Sequence, residues 1–285
     1  MDLTRGTENV NYYDARSFWS DVLGSRFDLT GTGHGGYGPR YNAALYRAKL
    51  RAFNRALAAH GVDLSQRSVL DVGCGVGFFA QVAEGAGVGS YVGLDITDVA
   101  VEALKVRFPA FRFQVADIGA DLPEVEQAEI VLCVDVLYHV VDPERFRRAV
   151  DNLWSLVVPG GRLVLVDSMW RRDLIPGGTL DASGGDRSHV PHVCFHSRAA
   201  YDQALFSRAD ATLLGTTPMY CLFNRPIEGR QWPWTSRRLA WHLRYRFFEQ
   251  KPVLAAMYSG DGWLTRIRRQ GPDLKFAIVE KALEG

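Results

Sequence analysis

Val69-Leu70-Asp71-Val72-Gly73-Cys74-Gly75-Val76-Gly77-Phe78 reads as an apolar strand that runs into a glycine-rich turn and then a helix. Glycine at such a turn lets the backbone approach a ligand closely. Working outward from it, short β-branched runs recur with helical patterns between them: SVLDV at 68–72, YVGLD at 91–95, RFQVA at 112–116, EIVLCV at 129–134 and RLVLVD at 162–167. That alternation predicts a parallel sheet with crossover helices. Helices are expected over 78–85, 97–107 and 142–156, the last with Asp142 as its cap and Pro143 at its first position. Pro159-Gly160-Gly161 is expected to stop that helix and turn the chain into the fifth strand. Upstream lie helices near 15–23 and 41–60, with the loop GTGHGGYGPR between them at 31–40. Downstream come an irregular stretch at 169–196, a helix near 197–206, a strand ATLLGTTPMY, an aromatic and basic helical segment near 233–268, and a last strand LKFAIVEK.

The 285 residues suffice for one generous core with additions, and 47% hydrophobic against 23% charged residues fit a globular chain. No run approaches the roughly 18 to 20 apolar residues of a membrane span. The opening MDLTRGTENV is polar, without the apolar block of a secretory signal, and Cys74, Cys133, Cys194 and Cys221 are widely spaced with no CxxC pair. A cytoplasmic location with reduced thiols is the expectation. The net charge of +1 is uneven: residues 225–269 hold ten Arg or Lys against three Asp or Glu, which is +7, so the remainder carries −6. Such asymmetry suits an anionic or carrier-bound substrate, although a charged helical face that meets only water is the commoner cause.

The turn after the first strand is GxGxG, with Phe78 where a dinucleotide fingerprint would place its third glycine for close helix packing. S-adenosyl-L-methionine (SAM) has no phosphate, and its ammonium makes an acid at the strand end useful, which Asp71 supplies. The second strand ends in Asp95, able to accept from both hydroxyls of a ribose, a role shared with NAD enzymes. The third leads to Asp117-Ile118, where a carboxylate can accept from an adenine amine and the next N–H can reach a ring nitrogen. Each acid has a plain structural alternative: Asp71 as a cap on the turn, Asp95 as a cap on the helix near Thr97, Asp117 as a loop boundary. All three nevertheless fall where open α/β sheets bind ligands.

VLDVGCGVG, GLDIT, VADIG, EIVLCVDVLYHVVDP and VPGGRLVLVD, spread over roughly residues 65–168, resemble the class I SAM-dependent methyltransferase family. The resemblance implies a doubly wound, seven-stranded, mostly parallel Rossmann-like sheet whose last strand is reversed, with ATLLGTTPMY and LKFAIVEK as the closing pair. It implies a methionine site at Asp71, Gly73, Gly75 and Gly77, a ribose site at Asp95 and Ile96, an adenine site at Asp117 and Ile118, and cofactor contacts at Val134 and Asp135. The organisation expected is an N-terminal helical cap (1–64), a SAM-binding core (65–168), a lid stretch with a helix and the sixth strand (169–222), a helical insertion serving as substrate cap (223–272) and the last strand (273–285).

The parts outside the core are expected to form a lid over the strand ends. Tyr12, Tyr13, Phe18, Trp19, His34, Tyr37, Arg40 and Tyr41 lie in its N-terminal portion, with Phe18 and Trp19 read as packing residues. Methyl transfer is an in-line attack on a sulfonium methyl, so alignment and exclusion of water carry much of the rate. His139, after the fourth strand, is the candidate base for a hydroxyl acceptor, with a loop-bonding role as its alternative and Tyr138 as a weaker candidate. His189, His192, Cys194 and His196 raise a metal question, but no acid cluster accompanies them, and no metal is expected. In RQWPWTSRRLAWHLRYRFF the apolar residues fall on two arcs, with Arg237 and Arg244 between them, so a helix buried on two sides is preferred to a membrane-surface helix. The fourth motif reads DVLY, not the N/D-P-P-Y of amino methylation on bases, and no RNA-binding module is visible, so no nucleic-acid partner is expected. The expected acceptor is a small molecule of specialised metabolism, methylated on oxygen, with N- and C-methylation open. A non-catalytic SAM-binding module and an NAD-linked or nucleotide-sugar enzyme stand as alternatives from other classes.

Overall fold

In the strand Ala128–Cys133, Ile130 and Leu132 join one hydrophobic cluster while Val131 and Cys133 join another, the two-residue period of a strand buried on both faces. The same division runs through Ser68–Val72 and Val157–Asp167, so one sheet separates two helical layers. The computed structural model describes residues 13–167, 169, 192–194, 196–223, 245–267 and 274–283. Its strands are β1 (Ser68–Val72), β2 (Ser90–Asp95), β3 (Arg112–Val115), β4 (Ala128–Cys133), β5 (Val157–Asp167), β6 (Ala211–Pro218) and β7 (Lys275–Lys281). They form one seven-stranded sheet in the order β3-β2-β1-β4-β5-β7-β6. Pairs among β1 to β5 are parallel, and β7 runs antiparallel to both β5 and β6.

The helices are α1 (Ala15–Ser25), α2 (Pro39–Ala59), α3 (Phe78–Ala86), α4 (Asp98–Arg107), α5 (Pro143–Ser155), α6 (Arg198–Tyr201) and α7 (Lys251–Ile267). α5 buries Phe146, Ala149, Val150, Leu153 and Trp154, an i, i+3, i+4, i+7, i+8 stripe laid on the sheet. Its Asp142 cap is as expected, with Oδ1 accepting from the N–H groups of Glu144 and Arg145. The expected helix over 197–206 is α6 continued by a π-helical turn at Asp202–Phe206. Pro159-Gly160-Gly161 does not separate α5 from the fifth strand. The helix has already ended, β5 starts at Val157 pairing with Ala128, and the triplet forms an irregularity in the ladder with Gly160 at φ 78°. α2 lies beside α7 and near β6 and β7. Arg51 pairs with the buried Asp261 at 2.9 Å, and that carboxylate also accepts from the N–H groups of Cys221 and Leu222. Arg237, Arg238, Trp241 and Arg244 lie outside the described residues, as do Tyr12 and His189.

Candidate active site

β1 and β4 are neighbours, with connections leaving in opposite directions, so a crevice opens at their carboxyl ends. A cavity of about 1190 Å³ lies there, walled by Val72, Gly73, Gly75, Asp95, Ile96, Asp117, Ile118, Val134 and Asp135 from the strand ends. Tyr13, Arg16, Trp19, Thr32, Tyr46 and Lys49 close it from the N-terminal helices and loop. Tyr138, His139 and Arg145 complete the wall beyond β4.

The glycine-rich turn divides its labour. Gly73 (φ 77°) and Gly75 (φ 51°) face the cavity, and a Cβ built on Gly73 would sit 2.2 Å from Val136 Cγ2. Gly77 is outside the wall: its φ is 79°, and a Cβ there would meet Leu104 at 2.5 Å, so it lets α3 start against α4. Of the three glycines expected at the methionine part, Gly73 and Gly75 are thus the two on the cavity wall. Asp71, expected at the methionine part, is likewise off the wall. Strand alternation turns it away from the cavity, where Oδ2 accepts from the Tyr91 hydroxyl at 2.6 Å and burial lifts its pKa to about 7.

Asp95 is buried yet reaches the cavity. Oδ1 accepts from the N–H and hydroxyl of Thr97, and Oδ2 accepts from Gly75 N–H at 2.9 Å. A carboxylate has about four acceptor positions, so the geometry leaves room for one ribose hydroxyl, where the sequence suggested two. Burial raises its pKa, opposed by these hydrogen bonds. Asp117 accepts from Gly119 N–H at 2.9 Å and from Arg145 at 2.5 Å, leaving positions for an adenine amine.

The donor set fits SAM better than a dinucleotide. Of the wall's cations, Lys49 is committed to Asp135 and Arg145 to Asp117, and Arg16 lies 3.8 Å from Asp98. Acids stand where a ribose and an adenine would be held, and the turn has Phe78 in place of the third glycine of a dinucleotide fingerprint.

His139 is in the wall, but its environment is that of a weak base. Its Nδ1 meets the His192 carbonyl at 2.7 Å, Trp19 meets its ring edge-on at 4.9 Å, and burial lowers its pKa to about 4. His196 is structural: Nε2 lies 3.2 Å from the carbonyls of Leu137 and Val140, and its ring stacks on Phe146 at 3.7 Å. His192 stacks on Phe18, and no cluster of three potential metal ligands occurs among the described residues. Trp19 faces the cavity, whereas His34, Tyr37 and Tyr41 pack on one another and the latter two on Phe248, deep in the cap.

Residues that the sequence reading did not single out complete the site. Asn42, fully buried, accepts from His34 N–H and donates to the carbonyls of His34, Tyr37 and Gly38, which pins the 31–40 loop. Thr32 of that loop lies over Gly75 and accepts from the Tyr46 hydroxyl at 2.8 Å. Lys49, 4% exposed, sits 2.5 Å from Asp135 Oδ2 and 4.0 Å from the centre of the Tyr46 ring. Burial opposes its charge, but Asp135 and Tyr46 outweigh that and raise its pKa. The available signal was a lysine on the apolar face of a helix, in line with Leu45, Ala48 and Ala52.

Fold and site together define a class I SAM-dependent methyltransferase. The chain belongs to the methyltransferase domain family, whose model matches residues 41–214. A tRNA U34 carboxymethyltransferase of Colwellia psychrerythraea is 35% identical over 136 residues, covering 42% of this chain and 39% of the relative. A ubiquinone biosynthesis O-methyltransferase of Coxiella burnetii is 27% identical over 138 residues, covering 42% of this chain and 57% of the relative. The matches therefore span about two fifths to three fifths of these relatives' lengths. Magnesium protoporphyrin IX methyltransferase from Synechocystis PCC 6803, solved with bound SAM, shares the fold at 19% identity and a TM-score of 0.52, covering 76% of this chain and 95% of its own. The tRNA relatives overturn the expectation of no nucleic-acid partner. Absence of N/D-P-P-Y speaks only to amino methylation of bases and leaves other nucleotide atoms open as acceptors. No helix among the described residues is long and apolar enough to cross a membrane.

Proposed function

We propose that the chain methylates a hydroxyl of a small acceptor held in the cavity beside SAM. The observation that carries this reading is the cavity itself, at about 1190 Å³ larger than the 300 to 1,000 Å³ of ordinary ligand pockets, with Trp19, Tyr46, Tyr138 and His139 in its wall. SAM supplies an electrophilic methyl group when bound. Ile118 and Asp117 hold its adenine, Asp95 and Ile96 its ribose, and the backbone at Gly73 and Gly75 its methionine part, with Val134 beside it. Trp19, Tyr46 and Tyr138 exclude water from the reacting end. His139 shapes that wall as a neutral imidazole, its Nδ1–H donated to the His192 carbonyl. The ubiquinone O-methyltransferase relative agrees with a hydroxyl acceptor.

A second reading, an acceptor nucleotide in tRNA, is favoured by the tRNA carboxymethyltransferase relatives. Incubation with methyl-labelled SAM, a panel of small hydroxylated compounds and, separately, total tRNA separates the two. Label in an extractable small product supports the first reading. Label only in the nucleic-acid fraction replaces it with the second.

A further inference from the structure

Asp135 follows β4 with φ 61°, a left-handed conformation that a residue with a Cβ adopts at a cost, and one that recurs at functional sites. Its Oδ2 is held by Lys49 at 2.5 Å. Its Oδ1 is buried and has no hydrogen-bond partner among the described residues. A buried acceptor left without a donor is costly, so a strained backbone, a buried cation and an unfilled carboxylate oxygen meet at one point of the cavity wall. Trp19, Tyr46, Tyr138 and His139 line the same cavity.

We propose that Asp135 Oδ1 accepts a hydrogen bond from the hydroxyl of the methyl acceptor, a planar ring bearing that hydroxyl, with Lys49 as the positioning residue that fixes the carboxylate. This rests on the reading of the chain as a hydroxyl methyltransferase and adds the acceptor's chemical class and the residue that orients it. Two kinds of donor compete for Oδ1, and charge separates them. An ammonium, whether the cofactor's own or that of an amine acceptor, would share one carboxylate with the Lys49 ammonium and be repelled by it. A neutral O–H meets no such repulsion. The ring follows from the wall, where aromatic faces and edges offer offset or edge-on packing to a planar occupant. The pairing also accounts for a lysine on the buried face of α2, since Lys49 gives Asp135 its orientation without using the oxygen that faces no donor.

The test uses the full chain loaded with S-adenosylhomocysteine, whose binding is measured first, and 4-nitrophenol as probe, whose absorbance distinguishes neutral phenol from phenolate. At neutral pH the bound probe is expected to carry its proton. It should bind at least about tenfold more tightly than 4-nitroanisole, which has no O–H to donate, the margin set by a hydrogen bond to a charged group. Asp135→Asn should remove that preference and leave S-adenosylhomocysteine affinity within about threefold. Equal affinity for the two probes, binding as phenolate, or no binding of 4-nitrophenol to the loaded parent overturns the proposal. A parallel loss of S-adenosylhomocysteine affinity in Asp135→Asn overturns it as well, by assigning Asp135 to the cofactor. The parent comparison does not depend on the variant folding. Label found only in tRNA would defeat the small-acceptor reading separately, without touching the probe measurements.

Discussion

His139 and Asp71 show how burial changes what a side chain can do. With its pKa lowered to about 4 by burial, His139 is neutral throughout the physiological range, and its basicity is too low for it to compete well for a hydroxyl proton. An NMR titration of the His139 ring, assigned with His139→Asn, is expected to show a midpoint near 4, and a midpoint near the ordinary 6.5 would restore it as a general base. Asp71 moves the opposite way, to about 7. An acid whose folded pKa lies above its unfolded one contributes stability that is fully present below the unfolded value, about 4, and is lost as pH rises through the folded value. The stability of the cofactor-free parent should therefore fall relative to Asp71→Asn between about pH 4 and pH 7 and then level off. Parallel denaturation curves across that window would show that Asp71 does not titrate there. Neither shift is legible in sequence, because both come from side chains assembled by the fold: His192 and Trp19 around His139, Tyr91 and the sheet around Asp71.

At the scale of elements, what the sequence made legible was local. β-branched runs marked β1 to β5, and Asp142-Pro143 marked the start of α5, because each signal lies within a few residues of the structure it sets. Where the determinant is distant the reading fell short. Gly38 gives α2 no side-chain cap, and the open N–H groups of Arg40 and Tyr41 donate instead to the Glu249 carboxylate, with the Tyr41 bond spanning 208 residues of sequence. The basic segment thus contributes an acid that caps the N-terminal helix, favourably placed at the positive end of its dipole. Glu249→Ala is expected to cost about 1 to 2 kcal/mol, the scale of a lost cap, read by urea denaturation. A change below about 0.3 kcal/mol would mean that water replaces the carboxylate. The Lys49–Asp135 pair was hidden for the same reason: a lysine on α2 and an aspartate after β4 are brought together only by packing.

For the whole molecule, the sheet order, the reversed β7 and the crevice between β1 and β4 place the cofactor motifs on one rim; the rim was legible from the glycine-rich turn and the strand-end acids, the reversed β7 only through the family resemblance. The acceptor was less legible, since its wall is assembled from α1, α2 and the 31–40 loop. The +7 carried by residues 225–269 belongs to this scale, with most of its arginines outside the described residues. If that charge draws a polyanion such as tRNA, kcat/KM should drop steeply with salt, and less so in Arg237→Glu, whereas a neutral acceptor leaves it flat in both proteins. Calorimetry of S-adenosylhomocysteine binding to the parent and to Asp95→Ala tests whether SAM binds across the ends of β1, β2 and β3. The variant should bind about 1.5 to 3 kcal/mol more weakly, having lost a hydrogen bond to a charged group, while NAD should bind neither protein. An unchanged dissociation constant in Asp95→Ala, or NAD binding that rivals S-adenosylhomocysteine, would contradict the account.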